Sequence, residues 1–440
     1  MTPRLVLVAL LFIVAIPTGR SVAQGEIQQA EYAARRSRLV ALLDSTSVVV
    51  LKAVEPRVRS NDVLYPYRQE SNIYYLCGQE DPGTFLLLSG RPITIDGTRA
   101  HVLLFKPGIV SSAFIQKTDS SGDALLLSAS QFPATLNIAV GNAKTVYLSA
   151  PDAKFINDWL NERPLFLERD SRKLFEEHHP GLKVKNASPF IARLREIKSP
   201  AEIAMIRKAI AATGAGLNRV MVACKPGLME YELQADVEYE MLRHGARAIG
   251  FPSIVGSGPN SLIPHYDANT RRLMPGDLVV LDVGAEYQYY SADITRTLPV
   301  SGKYTPEQRA VYLAVLKAQR ETIQIIRAGL PWKEIDKKAR ESIGGSGYGR
   351  YTLHGVTHHL GLDTHDAGSF DTLRAGMVIT VEPGIYIPAN DTALAPGFRG
   401  FGIRIEDDVL VTSSGCTVLS TDIPKDPDQI ERVMNHEPKR

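Results

Sequence analysis

A chain of 440 residues is long enough for two or three domains. Its apolar fraction of 44% and charged fraction of 22% are those of a globular protein and exclude a disordered or fibrous one. A net charge of +2, with no long charge run, excludes a strong electrostatic pull toward nucleic acid or acidic lipid.

At the start of the chain, Arg4 precedes an apolar run of 12 residues, Leu5 to Ile16, which Pro17 and Gly19 break. Ser21-Val22-Ala23 then offers small residues for cleavage, so residues 1–23 read as a secretory signal peptide cut after Ala23. The protein is expected to be exported, to the periplasm or the medium. The run is too short to span a bilayer and no second one approaches that length, so no stable membrane anchor is expected after processing. Cys77, Cys224 and Cys416 are odd in number and lack a C-x-x-C spacing, and they read as small buried apolar residues, although export would permit a disulfide.

Residues 24–185 mix helix and strand. A basic helix is expected over Arg35 to Leu43, followed by β-rich runs at Ser47 to Val54, Thr84 to Leu88, His101 to Lys106 and Thr145 to Leu148. Interleaved strands and helices predict an α/β layer domain, structural in role or forming one wall of a site.

A second domain is expected over residues 186–440. Ser199-Pro200-Ala201-Glu202 is a capping box with proline at the first helical position. Ile203, Ile206, Ile210, Leu217 and Met221 then recur at helical spacing, with Thr213 on the same face, up to Lys225-Pro226-Gly227. A second helix runs through Leu233, Val237 and Met241 to near Gly245. The pattern returns at Thr305-Pro306-Glu307-Gln308, with a long helix to Gly329 and a shorter one from Trp332 to Ile343. Leu273 to Asp282 then parallels Leu373 to Glu382 at an offset of 100 residues, and His265 falls on His365 at the same offset. Each copy ends a strand in a carboxylate and places a histidine 17 residues before it, so two copies related by a pseudo-twofold would share one metal centre.

Asp282, Asp293, His358, Glu382 and Glu406 are the candidate metal ligands. Asp282 follows the apolar run Leu278 to Leu281 and Glu382 follows Val378 to Val381, so both carboxylates should be buried and need partners. Asp282 and Asp293 flank the ends of two antiparallel strands, and Glu406 lies in the alternating run Gly402 to Glu406. An oxygen-rich set with one nitrogen suits Mn²⁺, Co²⁺ or Zn²⁺. Bridging carboxylates allow two ions about 3.5–4 Å apart, a spacing used to activate water for hydrolysis. His354, His358, His359 and His365 crowd one segment beside Gly355 and Gly361. His358 is the expected ligand, and His265 and His365 the expected acids or hydrogen-bond donors beside it.

These residues resemble the pita-bread metallopeptidases, the superfamily that includes methionine aminopeptidase, aminopeptidase P, prolidase and creatinase. Leu281 to Gly284 with Ser291 to Thr297 resembles the paired-aspartate hairpin, and His354 to Asp366 the histidine motif. Thr380 to Gly384 and Gly402 to Asp408 resemble the two glutamate motifs, and Tyr65 to Gly78 resembles aminopeptidase P in particular. The resemblance implies an α/β (α+β) protein with a creatinase-like N-terminal domain and a pita-bread catalytic domain with an internal pseudo-twofold repeat. It implies two divalent ions, usually Mn²⁺, with Asp293 and Glu406 bridging, Asp282 on one ion, and His358 and Glu382 on the other. Hydrolysis of the N-terminal Xaa-Pro bond of peptides is implied, with a metal-bridging water as nucleophile and Glu382 as general base. In this scheme His265 and His365 stabilise the carbonyl, and His354 and Arg404 shape the proline pocket. Tyr74 reaches a neighbouring subunit's site in a homodimer or homotetramer.

His359 departs from the pattern, since tryptophan or glycine is often found there, and is expected to alter the pocket or to compete as a ligand. An Xaa-Pro dipeptidase shares every ligand, and the N-terminal motif and export signal favour the aminopeptidase over it. A non-catalytic binding protein on the same fold, or a metal-free creatinase-type enzyme, should have lost ligands, whereas all five positions are intact.

Overall fold

A computed structural model describes residues 27–109, 116–117, 124–149 and 175–435; the expected signal peptide lies outside the described residues. Among the described residues no helix is long and apolar enough to cross a membrane.

The N-terminal half is built on a mixed sheet of seven strands. Their order is Gln116–Lys117, Ala124–Ser128, Thr98–Lys106, Phe85–Ile95, Ser47–Lys52, Thr145–Leu148 and Lys183–Asn186. Ser47–Lys52 is central because its valine run is buried on both faces. It pairs antiparallel with Phe85–Ile95 and parallel with Thr145–Leu148. The four expected strands are present. Phe85–Ile95 continues past the expected Leu88, through a register shift between Leu88 and Ile93.

The first helix is Gln29–Val40 rather than Arg35 to Leu43. Its start draws on the helix-forming Ala30-Glu31-Tyr32-Ala33-Ala34, and Arg35 and Arg36 turn inward. Buried Arg35 lies over the Tyr75 ring at 4.2 Å and pairs with Glu202 at 3.2 Å. The strand Lys183–Asn186 belongs to the N-terminal sheet, and helix Ser188–Arg195 packs on the first two helices. The seam between the halves therefore lies nearer Ser199 than the expected boundary at 185.

The C-terminal half contains two helix pairs, Pro200–Ala223 with Glu230–Arg243 and Pro306–Ile325 with Lys333–Gly345. Both capping boxes form, Ser199 with Glu202 and Thr305 with Gln308. The first helix of the second pair ends at Ile325, short of the expected Gly329. Beyond it Ala328 and Gly329 donate instead to the carbonyls of Thr412 and Leu373.

The two copies fold alike. Leu278–Val283 lies between Ile254–Ser257 and Ile294–Pro299, and Val378–Val381 pairs antiparallel with Asp407–Val411. Gly227 donates to Leu273 O, and Leu273 to Leu228 O, at 2.9 and 2.8 Å; Gly329, Leu373 and Leu330 repeat the same pair of bonds at 2.9 and 2.8 Å. Gly276 and Gly376 turn the chain into the carboxylate-bearing strands with φ of +84° and +92°, a region that favours glycine.

One hydrophobic core spans both halves. Across the seam Arg68 donates to Glu286 at 2.7 Å and to the Leu362 carbonyl at 2.5 Å. All three cysteines are free; Cys77 and Cys224 are buried as expected, whereas Cys416 is half-buried.

Candidate metal centre

The carboxylates reach one place because strands end there. Asp282 sits near the end of Leu278–Val283, opposite Thr295. Gly284 follows it, and a Cβ there would stand 1.9 Å from the Ala292 carbonyl, so only glycine lets the chain return this tightly to Asp293. Glu406 lies between Phe401–Arg404 and Asp407–Val411, and its N–H donates to the Thr295 carbonyl at 3.1 Å. Glu382 follows Val378–Val381 and donates from its N–H to Val356 O at 2.9 Å. The histidine segment runs beside that strand, with Thr380 donating to His358 O at 3.0 Å.

Asp293, His358 and Glu406 offer ligand atoms that all lie within 4.8 Å of one another. His358 Nε2 lies 3.3 Å from Asp293 Oδ2 and 3.5 Å from Glu382 Oε1. Its other nitrogen, Nδ1, lies 3.0 Å from the His359 carbonyl, which can only accept. The proton therefore belongs on Nδ1, and Nε2 turns a lone pair toward two carboxylates.

Two buried carboxylate oxygens of this group, Asp282 Oδ1 and Glu406 Oε1, have no hydrogen-bond partner. Lone pairs that converge without a donor are costly unless a cation lies among them. The set fits divalent metal. The same crowding raises the acids. Burial, then the Asp282 charge, pushes Asp293 well above the usual carboxylate range, and burial with the Asp293 and Glu382 charges does the same to Glu406. Burial pushes Glu382 up to about 8, opposed by His358 and Arg404 and reinforced by Asp293 and Asp282.

Around this core lies a shell that the sequence shows only in part. Arg404, 2% exposed, donates to Asp282 Oδ2 at 2.7 Å, to the Tyr386 hydroxyl at 2.7 Å, to Thr295 Oγ1 at 3.2 Å and to Pro264 O at 3.3 Å. Beyond its expected place at the proline pocket, it orients a candidate ligand. With Arg404 donating to Tyr386, the phenol proton is left for His354 Nε2, 2.7 Å away. His354 then carries its own proton on Nδ1, 2.8 Å from Gly355 O and 3.5 Å from Glu382 Oε2. Burial and the Arg404 charge hold this imidazole down at about 4, so it is neutral at pH 7. Thr295 Oγ1 donates to Glu406 Oε2 at 2.7 Å, and the Asp293 N–H donates to Asp408 at 3.2 Å.

His365 stands with its ring 4.3 Å from that of His358. His265 sits in the turn directly after Pro264, whose carbonyl accepts from Arg404 at 3.3 Å. The structure thus brings His265, His354 and His365 to the carboxylate cluster.

Two expectations need correction. Tyr74 does not extend outward: it is 7% exposed and stacks on Tyr289 of its own chain, centroids 4.0 Å apart. A ring packed into the seam is not free to enter a neighbouring subunit. Nor does His359 compete as a ligand. It is fully buried, with Nε2 2.8 Å from the Ser369 carbonyl and its ring 4.6 Å from Trp332 and 5.4 Å from Phe370. Its pairing with Ile379 turns it from the carboxylates, because neighbours His358 and His359 point to opposite sides of an extended segment.

The chain is similar to known proteins. Residues 204–413 match metallopeptidase family M24, and residues 32–112 match the aminopeptidase P N-terminal domain. The chain is 33% identical to the Xaa-Pro aminopeptidase of Escherichia coli, over 93% of its own length and 98% of that protein's. It is 39% identical to the Xaa-Pro dipeptidase of Pyrococcus furiosus over 56% of its own length and 69% of the relative's. A zinc-substituted E. coli aminopeptidase P in complex with product superposes with a TM-score of 0.79 at 31% identity, covering 94% of this chain and 100% of that one.

Proposed function

Because the chain belongs to metallopeptidase family M24, within its aminopeptidase P-like members, and is thereby a metal-dependent hydrolase, we propose that it releases the N-terminal residue from peptides with proline in second place. The observation that carries hydrolysis is the buried carboxylate cluster with its orphaned oxygens and the inward lone pair of His358. The likeness to Xaa-Pro aminopeptidases, which includes the N-terminal domain, supports the proline requirement. The likeness to the dipeptidase leaves part of both chains uncovered, so that reading is the weaker one.

Asp282, Asp293, His358, Glu382 and Glu406 would hold two divalent ions, Mn²⁺ by preference, with Co²⁺ or Zn²⁺ as alternatives. When bound, such ions supply Lewis acidity and bring a water's pKa from about 15.7 toward 7. Glu382 serves as general base: it takes a proton from the attacking water and returns it to the departing proline nitrogen. The His354 ring stands beside that carboxylate, Nδ1 lying 3.5 Å from Glu382 Oε2 while its proton goes to Gly355 O. His265 and His365 donate to the oxygen on which negative charge develops, each contributing about 2.7–4 kcal/mol as such donors do. His354 and Arg404 form the wall for the proline ring. A bond before proline has no N–H to offer an ordinary protease, which favours a dedicated enzyme.

Comparing hydrolysis of Xaa-Pro-Yaa with that of Xaa-Ala-Yaa tests the reading. Release of Xaa from the proline peptide alone is expected, and equal rates on both would overturn it. Export after cleavage at Ala23 and assembly as a homodimer or homotetramer belong to the same proposal. A mature N-terminus at Gln24 and a sedimentation mass above one chain are the expected results.

A further inference from the structure

At one buried position the two copies of the repeat exchange a charged residue for an aromatic one, and that difference falls beside His265. Glu230 and Trp332 are equivalent. Their N–H groups donate to Arg271 O and Asp371 O, both at 2.9 Å, next to the matched bridges Met229–Arg272 and Pro331–Thr372. Each faces the residue paired with the carboxylate-bearing strand, Ser257 opposite Val279 in one copy and His359 opposite Ile379 in the other. In the second copy the contact is aromatic, Trp332 on His359.

In the first copy the contact is polar. Glu230 is fully buried, and its two oxygens gather a set of donors. Oε1 accepts from Ser257 N and Ser257 Oγ at 2.7 Å each and from Asn260 Nδ2 at 3.1 Å. Oε2 accepts from the Tyr266 hydroxyl and the Arg271 N–H at 2.8 Å each. All these donors belong to the segment 257–271, which carries His265 in a turn next to Tyr266. Arg404, donating to Pro264 O, holds the segment from the metal side. Among the described residues no hydrogen bond holds the His265 imidazole itself, which is exposed, so its place depends on the backbone that Glu230 ties down.

We propose that Glu230 is a positioning residue that acts through His265, an inference resting on the reading of His265 as a donor to the reacting carbonyl. A charged acceptor suits the task because both oxygens face only donors. Glu230→Gln would turn an NH₂ group against some of them, and the turn would loosen without any change in the metal ligands.

A kinetic double-mutant cycle tests this on the full chain with Mn²⁺ and an Xaa-Pro-Yaa tripeptide, with metal content and melting temperature recorded for each variant. His265→Ala should lower kcat by about 100-fold or more, as loss of such a donor does. Glu230→Gln should lower kcat by about tenfold, with little change in KM or metal content, since small misplacements of a reacting group are costly. In the His265→Ala background Glu230→Gln should cost nothing further, because its effect passes through a side chain already removed. A second full loss in that background would overturn the inference. An unchanged kcat in His265→Ala alone would overturn the reading beneath it. Should Glu230→Gln fail to fold, Tyr266→Phe removes a single donor; the same pattern is then required, with a kcat loss that vanishes in the His265→Ala background.

Discussion

The Arg404 guanidinium donates to Asp282 at 2.7 Å from inside the protein, and the other Asp282 oxygen is left with no protein partner. One side of the carboxylate is thus fixed by charge and the other is free for a cation. Arg404→Ala should weaken metal binding by about 10–100-fold, the usual cost of removing a group that orients a ligand. Titration of stripped protein with Mn²⁺, followed by calorimetry, would show it. A raised KM with unchanged metal affinity would leave Arg404 only its role at the proline pocket.

Glu382→Ala should fold, keep a near-native melting temperature and lose activity by about 10²-fold to 10⁴-fold or more, as expected when a general base is removed. Turnover near the wild-type level with excess Mn²⁺ would remove Glu382 from the role.

His359→Ala separates structure from chemistry at the histidine segment. The Ser369 carbonyl would lose its 2.8 Å partner and Trp332 its aromatic neighbour. A loss of about 1–3 kcal/mol from the orphaned carbonyl is expected, with more from the cavity. Metal content per chain should not change. If it falls, His359 is a ligand after all.

The raised acids predict how metal-free protein responds to pH. Glu382 moves from 4.5 to about 8 on folding. Its folded form therefore holds a proton that the unfolded form has released across that window. The stabilisation is complete below about 4.5 and is lost as pH rises toward about 8. Asp293 and Glu406, pushed up by burial and by their neighbours, act in the same direction. The melting temperature of stripped protein should fall between pH 5 and 8, and added metal should raise it most at the upper end, where the ligands are free of protons. A stripped protein that becomes more stable across this range would contradict the mutual crowding of these carboxylates.

Much of this was legible in the sequence because it is local. Ser199 and Thr305 announce their helices through side chains three residues away. The apolar runs before Asp282 and Glu382 mark buried strands. The offset of 100 residues between His265 and His365 exposes the repeat. The rest depends on partners distant in sequence. Nothing near Glu230 says that it collects the turn at Tyr266, and nothing near Tyr386 says that it directs the His354 proton. The packing of Tyr74 is hidden for the same reason, since its partner Tyr289 lies across the seam. His359 has a polar side chain, and only the fold reveals the aromatic niche of Trp332 and Phe370 that receives it.

The most direct test of the account is the identity of the product. The mature protein with Mn²⁺ would be given a tripeptide Xaa-Pro-Yaa and, separately, the dipeptide Xaa-Pro, with products read by mass spectrometry. Release of free Xaa and Pro-Yaa from the tripeptide is the predicted result. Cleavage of the dipeptide alone, with the tripeptide left intact, would contradict it and make the protein a dipeptidase.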